Sequence, residues 1–367
     1  MLLNGRPTRT IWPAASADAV TVLDQRALPH RIESVVLRHV DDAIHAIAEM
    51  VVRGAPLIGV TAAYGLALQA RVDAGDAALE RAASQLKASR PTAVNLAWAV
   101  DRMLAQLSLR KPADRVGTAW FFAAQLADDD AAVNERLGVQ GVALLRSLAR
   151  RHLGRPLNVL THCNAGWLAT VDWGTALAPV YRAQAEGLAV HVWVDETRPR
   201  NQGASLTAFE LREQGVPHTV IADNAGGHLM QRGRVDAVIV GCDRVTGCGD
   251  VANKIGTYLK ALAARDCGVP FWVAMPLSTL DRSLRDGMAE IPIEERRARE
   301  VTHLSGRAGD GTTVEVQLVP DGTPACNPAF DVTPARLVSG LITERGVVPA
   351  TGEGIASLFD ERRAEVS

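Results

Sequence analysis

No stretch of this 367-residue chain is apolar for long enough to cross a bilayer. The longest apolar runs, such as Val235–Val240, fall far below the roughly 20 residues that a spanning helix needs. The opening MLLNGRPTRTIW lacks the long apolar core of a secretory signal, so the cytoplasm is the expected compartment. Charge of one sign is also missing: the net charge is −2 and the pI about 6.5, which argues against a general polyanion binder such as a nucleic-acid protein. Any phosphate recognition must then be local. Cysteine is sparse and unpaired by pattern. Cys163, Cys242, Cys248, Cys267 and Cys326 make an odd set of five with no C-x-x-C, as reduced thiols do and disulfide frameworks do not. The nine histidines show no H-x-x-x-H or comparable spacing, so no metal is expected. Three signatures are absent as well: G-x-G-x-x-G after an early strand, G-x-x-x-x-G-K-[ST], and G-x-S-x-G. Dinucleotide oxidoreductases, P-loop NTPases and serine hydrolases lose weight accordingly.

What is present is enough chain and apolar content for two domains. Residues 1–40 carry short β-like pieces at 10–12, 19–23 and 34–37, which predict a small sheet. From Asp41 the period becomes helical, with amphipathic segments at about 41–52, 56–73, 76–88, 92–108, 112–127 and 129–152. From Leu157 strands and helices alternate: strands LNVLTHC, AVHVWVDE, HTVIAD, VDAVIVG and PFWVAMP, with helices expected near 173–186, 203–214, 225–231 and 251–265. Alternation at this spacing predicts right-handed βαβ units and a parallel sheet. A β-like run at 312–319 and a short helix near 334–344 complete the expectation. The fold class is thus α/β: a mainly helical N-terminal domain with a small β-sheet, then a Rossmann-like parallel-sheet domain.

Polar residues gather after several of these strands, where open α/β sheets bind ligands. Cys163 follows LNVLTHC, a place that can lower a thiol pKa, although buried inert cysteine is the commoner case. His162 beside it should point the other way and be structural. The loop from Asp195 to Gly203 packs carboxylates, guanidinium groups and amides before a helix. Asp243 follows VDAVIVG and offers an acid or base, or merely a turn former. With Asp250 as the expected cap, Asn253 and Lys254 fall in the first turn of a helix, where free N–H groups, an amide and an ammonium favour an anion. Arg53-Gly54-Ala55-Pro56 precedes an apolar helix and could grip phosphate, or be a plain loop junction. Asn224, Met275 and Ser278 sit after further strands and could line the same mouth.

The segments RGAPLIGVTAAYG, SRPTAVNLAWAVDRM, THCNAG, DETRPRNQGASLTAFEL, GCDRVTGCGDVANKIGTY, IPIEER and NPAFDVTPARLVSGLITERG, in this order from about residue 20 to 347, resemble the methylthioribose-1-phosphate isomerases of methionine salvage. Their superfamily also holds ribose-1,5-bisphosphate isomerases and non-catalytic regulatory subunits of an initiation-factor exchange factor. The change of pattern puts the boundary between about 128 and 156, giving an N-terminal domain over 1–128 and a catalytic domain over 129–367 with 129–156 a connecting helix, and the resemblance implies the same two-domain arrangement. It also implies a homodimer, a sugar-phosphate substrate and no cofactor. Matched motif by motif, Cys163 and Asp243 take the catalytic positions, Asp243 as proton donor. Arg53, Gly54, Ala55, Arg90, Gln202, Asn253 and Lys254 take the substrate-binding positions, Arg90 on the resemblance alone. This chain departs from it at Cys242, where many relatives carry alanine, and at Asn201, where leucine or methionine is more common.

Overall fold

The computed structural model describes residues 1–151 and 154–360. A hairpin of β1 (Leu2–Leu3) and β2 (Arg6–Pro7) leads into an antiparallel sheet of β3 (Ile11–Pro13), β4 (Val20–Leu23) and β5 (Ser34–Leu37), the small sheet the sequence predicts. Then come α1 (Val40–Ala48), α2 (Ala55–Val72), α3 (Asp76–Ser89), α4 (Val94–Ser108) and α5 (Pro112–Ala149). The helix α2 is apolar all round and almost wholly buried, so it forms the axis on which α1, α3, α4 and α5 pack.

The two segments expected at 112–127 and 129–152 are one 38-residue helix. The run Ala127-Asp128-Asp129-Asp130 carries no glycine or proline, so nothing breaks it there. Its expected last residue, His152, lies outside the described residues. The N-terminal half of α5 packs into the helical core through Trp120, Ala123 and Leu126, and its C-terminal half into the sheet core through Leu137, Val142 and Leu145.

The alternating part follows: β6 (Leu157–Thr161), α6 (Ala178–Ala185), β7 (Val190–Asp195), α7 (Ala208–Glu213), β8 (His218–Ile221), α8 (Ala225–Gln231) and β9 (Ala237–Val240). Next are β10 (Arg244–Thr246), β11 (Val251–Lys254), α9 (Thr257–Asp266), β12 (Phe271–Ala274) and β13 (Leu280–Asp281). After the short helices α10 (Gly287–Glu290) and α11 (Arg299–Thr302), β14 (His303–Arg307) and β15 (Thr313–Gln317) form an exposed hairpin. The chain ends with β16 (Phe330–Thr333), β17 (Gly340–Thr343), β18 (Gly346–Val348) and α12 (Gly352–Ser357).

The main sheet runs β18-β17-β12-β9-β6-β7-β8, parallel except for β18. Its inner strands β9 and β17 are buried on both faces, as helix-covered parallel strands must be, while the edge strand β8 is largely exposed. A four-stranded sheet, β13-β10-β11-β16, lies beyond its edge of loops.

Two expected helices are corrected. Residues 251–254 are the strand β11, held between β10 and β16, and the helix begins only at Thr257. Asp250 cannot cap there because its carboxylate accepts from the Gly287 and Ala335 N–H groups at 3.0 and 2.9 Å. Asp331 serves the true helix start, accepting from Gly256 and Tyr258 at 2.7 and 3.1 Å. Near 334–344 a single 3-10 turn at Ala335–Leu337 precedes β17, because Gly340-Leu341-Ile342-Thr343 is buried on both faces beside β12.

Candidate active site

Counted from β8, the strand order β8-β7-β6-β9-β12-β17 reverses direction between β6 and β9. A crevice opens at such a reversal, outside the carboxyl ends of the two strands. Cys163 follows one of them and Asp243 the other. All nine predicted residues, Arg53, Gly54, Ala55, Arg90, Cys163, Gln202, Asp243, Asn253 and Lys254, line this single cleft of about 1040 Å³, its open mouth included.

Cys163 is held in a strained backbone conformation, with φ of +63° in a non-glycine residue. Three partners enforce it. Its N–H donates to the Thr197 hydroxyl at 2.8 Å, its carbonyl accepts from the Thr207 hydroxyl at 2.7 Å, and its thiol donates to Gln202 Oε1 at 3.5 Å. Gln202 alone of the 195–203 loop lines the cleft. Arg198 and Arg200 turn away to the Val301 carbonyl and Glu300, and Asp195 lies beneath. There it meets His162 Nδ1 at 2.9 Å and Lys260 Nζ at 3.1 Å, while His162 Nε2 lies 2.8 Å from the Ile255 carbonyl. His162 therefore clamps the Cys163 loop to the residue after Lys254, a structural part as expected, although its edge also reaches the cleft. Its neighbours Asp195 and Asp223 complete a group of potential metal ligands, but the Lys260 ammonium already supplies a cation between them.

Asp243 is half-buried, and its carboxylate makes no hydrogen bond or ion pair with another described residue. Burial pushes its carboxyl above the usual range; Lys254, Arg90 and Arg53 pull the other way and lose. The cations are themselves unusual. Arg53 and Lys254 are 6% and 9% exposed, and neither has an ion-pair partner among the described residues. Lys254 stands 4.6 Å over the Phe330 ring, and Arg53 is anchored by Asn164, its Nη2 donating to that carbonyl at 2.6 Å. Arg90 reaches only Glu294, at 3.8 Å, and its buried Nε has no partner. Burial lowers the pKa of all three, with Asp243 opposing it in each. Buried cations without counter-ions are costly, and an anionic ligand relieves that cost. Gly54 and Ala55 add the N-terminus of α2, with Pro56 in its first turn. Asn253 donates to Thr257 at 3.0 Å and presents its other side to the cleft.

Asn224, Met275 and Ser278 do not line the cleft; Ser278 instead accepts from Asn95 at 3.0 Å. The residues missed by sequence reasoning include Asn164 and Phe330, which lay inside THCNAG and NPAFD, and the apolar lining residues Met50, Ile58, Ile291 and Ile293. Ile58, Ile291 and Ile293 lay inside RGAPLIGVTAAYG and IPIEER, but nothing local marks an apolar side chain as lining a site, and Met50 lay outside every motif. Cys242 also lines the cleft; burial pushes its thiol up to about 12, so it stays protonated.

Fold and cleft together define an α/β protein with an anion-binding crevice at a topological switch, flanked by a strained cysteine and an uncompensated aspartate. The chain belongs to the Initiation factor 2 subunit family, whose model matches residues 51–350. It is 62% identical over 363 residues to a methylthioribose-1-phosphate isomerase of Methylorubrum populi, covering 99% of each chain. Its structure resembles that of a 5-methylthioribose 1-phosphate isomerase from Pyrococcus horikoshii, with TM-score 0.81, 39% identity and coverage of 97% and 96%. A chain described as the delta subunit of translation initiation factor eIF-2B from A. fulgidus is nearly as similar, with TM-score 0.79, 38% identity and coverage of 96% and 99%. Likeness of fold does not separate these two descriptions, so the side chains must.

Proposed function

We propose that this protein is an aldose–ketose isomerase that interconverts 5-methylthioribose 1-phosphate and 5-methylthioribulose 1-phosphate in methionine salvage. The observation that carries the reading is the set of buried, unpaired cations beside Cys163 and Asp243. A binding subunit has no use for a strained thiol and a carboxyl held towards its protonated form. Met50, Ile58, Ile291 and Ile293 give the cleft apolar lining of the kind a methylthio group needs.

Phosphate on the anomeric oxygen blocks ordinary ring opening, so the enzyme must assist it. Arg53 and Lys254 hold the phosphate and Gln202 the sugar hydroxyls, which fixes C1 and C2 between the catalytic groups. Asp243 donates a proton to the ring oxygen as its bond to C1 breaks. The hydrogen on C2 then moves to C1, and the proton released by the C2 hydroxyl as it becomes the ketone returns to the Asp243 carboxylate, with Cys163 beside that hydroxyl to relay the proton or polarise the oxygen, so the donor is restored. Transfer as a hydride leaves C1 unlabelled in deuterated water; transfer through an enediol labels it.

Phosphorus NMR with 5-methylthioribose 1-phosphate tests the whole proposal. Wild-type protein should convert it, and Asp243→Asn and Cys163→Ser should each lose about 10²–10⁴-fold in kcat, the usual worth of a positioned proton-transfer group. A folded wild type that converts neither this sugar nor its 5-deoxy and 5-phospho analogues would leave the binding-subunit role. The same reading carries a homodimer acting in the cytoplasm and a division of the chain at residue 128. Among the described residues no helix is long and apolar enough to cross a membrane.

A further inference from the structure

Glu210, on α7, is fully buried and lies outside the cleft. Its carboxylate accepts from the Asn164 side-chain amide through Oε1 and from the Leu168 N–H at 3.3 Å through Oε2. The Asn164 amide nitrogen also donates to the Thr207 hydroxyl at 3.1 Å. These two acceptors fix which way the Asn164 side chain faces: its nitrogen must point to Glu210, so its oxygen must point to Arg53. Arg53 Nη1 donates to that oxygen and Nη2 to the Asn164 carbonyl. The guanidinium is thereby gripped along one edge, and its remaining donors are left for the cleft. The chain turns tightly against this carboxylate. A Cβ on Gly166 would fall 2.1 Å from Glu210 Oε1, so the glycine lets the loop after Cys163 close over it.

We infer that Glu210 is a positioning residue for phosphate binding, acting through Asn164 on Arg53. The inference rests on the isomerase reading for its substrate but not for its anion. Burial pushes the Glu210 carboxyl up to about 7, against the pull of Asn164, Leu168 and Arg53. The Tyr181 hydroxyl faces the same carboxylate, outside full hydrogen-bond geometry. A folded-state pKa raised above the ordinary carboxyl value means that its stabilisation is present at low pH and is lost as pH rises through about 7. At pH 8 the ionised group opposes folding while it orients Arg53.

The test compares Glu210→Gln, Asn164→Ala and their double variant with wild type, by KM and kcat for 5-methylthioribose 1-phosphate and by the thermal shift that inorganic phosphate produces. Asp130→Asn is the control, since that carboxyl is also raised to about 7 by burial, but it serves Val171 and Asn134 away from the cleft. Glu210→Gln and Asn164→Ala should each raise KM roughly tenfold with kcat within about threefold, the mark of lost ground-state binding. The double variant should be no worse than the poorer single, because both sever one chain of contacts. Glu210→Gln should lose most of the phosphate-induced shift yet melt no lower than wild type at pH 8, and Asp130→Asn should keep its KM. Unchanged KM and phosphate shift in Glu210→Gln, or additive losses in the double variant, would overturn the inference. If Glu210→Gln does not fold, Asn164→Ala carries the same comparison. If wild type fails to turn over, the isomerase reading falls, and the phosphate shift still decides the role of Glu210.

Discussion

At Asp243, burial outweighs three facing cations, and the direction of that balance matters for chemistry. A carboxyl that donates to the ring oxygen must carry its proton when substrate arrives. Activity should therefore fall as pH rises through a midpoint above the ordinary carboxylate range, because the donor is lost there. The adjacent Cys242, pushed up to about 12, contributes no ionisation that could mimic this limb below about pH 10. A kcat profile measured across pH 4–9 checks it. A profile that instead climbs through the ordinary aspartate range and then stays flat would make Asp243 a base. Cys163 and Asp243 were legible in sequence because each follows a β-branched run, and a strand end is a position that local pattern can locate. Glu210 and Asn164 were not singled out. Their roles exist only once α7 is laid against the loop after β6, a contact 46 residues apart in the chain.

The helix α2 begins at the cleft because of Gly54. Its φ is +92°, and a Cβ there would sit 2.3 Å from the Ala169 carbonyl oxygen, so backbone freedom and close approach are both required. Gly54→Ala should cost about 2–4 kcal/mol, as strained and overpacked substitutions do, and should also raise KM by displacing Arg53. Chemical denaturation and steady-state kinetics on one preparation would measure both. Normal stability with normal KM would mean that the junction yields without moving the arginine. The elements themselves were read unevenly. The main-sheet strands β6, β7, β8, β9 and β12 and the helices α1 to α4 follow their hydrophobic periods to within a few residues, whereas β17 reads as helix and β18 gives no strand signal. At 251–254 the pattern misled, since Asp250 reads as a helix cap when its carboxylate is in fact taken by Gly287 and Ala335. Asn253 and Lys254 still reach the cleft, presented by β11 rather than by a helix dipole. Their anion affinity then rests on the side chains alone.

The cleft draws on both ends of the molecule: Arg53, Gly54 and Arg90 from the helical part, and Cys163, Gln202, Asp243 and Lys254 from the sheet part. Among the contacts that tie these parts together, two bear most directly on the alignment of the cleft. One is the grip of Arg53 on Asn164; the other is α5, whose unbroken backbone packs on α2 and α4 at one end and on α6 and β17 at the other. Between its two sets of core residues, Ala127 and Leu137, the helix adds no residue to either hydrophobic core; Asp130 ties it to the Val171 N–H and to Asn134, and position is otherwise transmitted through backbone rigidity. Ala132→Pro removes one hydrogen bond in that span and sets the ring against the preceding turn, a change that costs about 3 kcal/mol in a helix interior. Neither core loses a buried side chain, so each should remain folded while their mutual alignment weakens. The expected result in calorimetry is one transition for wild type and two for the variant, with a smaller stabilisation by phosphate because Arg53 no longer meets the switch point in register. A variant that melts in one transition with an undiminished phosphate effect would show that the contacts at the cleft suffice and that α5 only spans the gap.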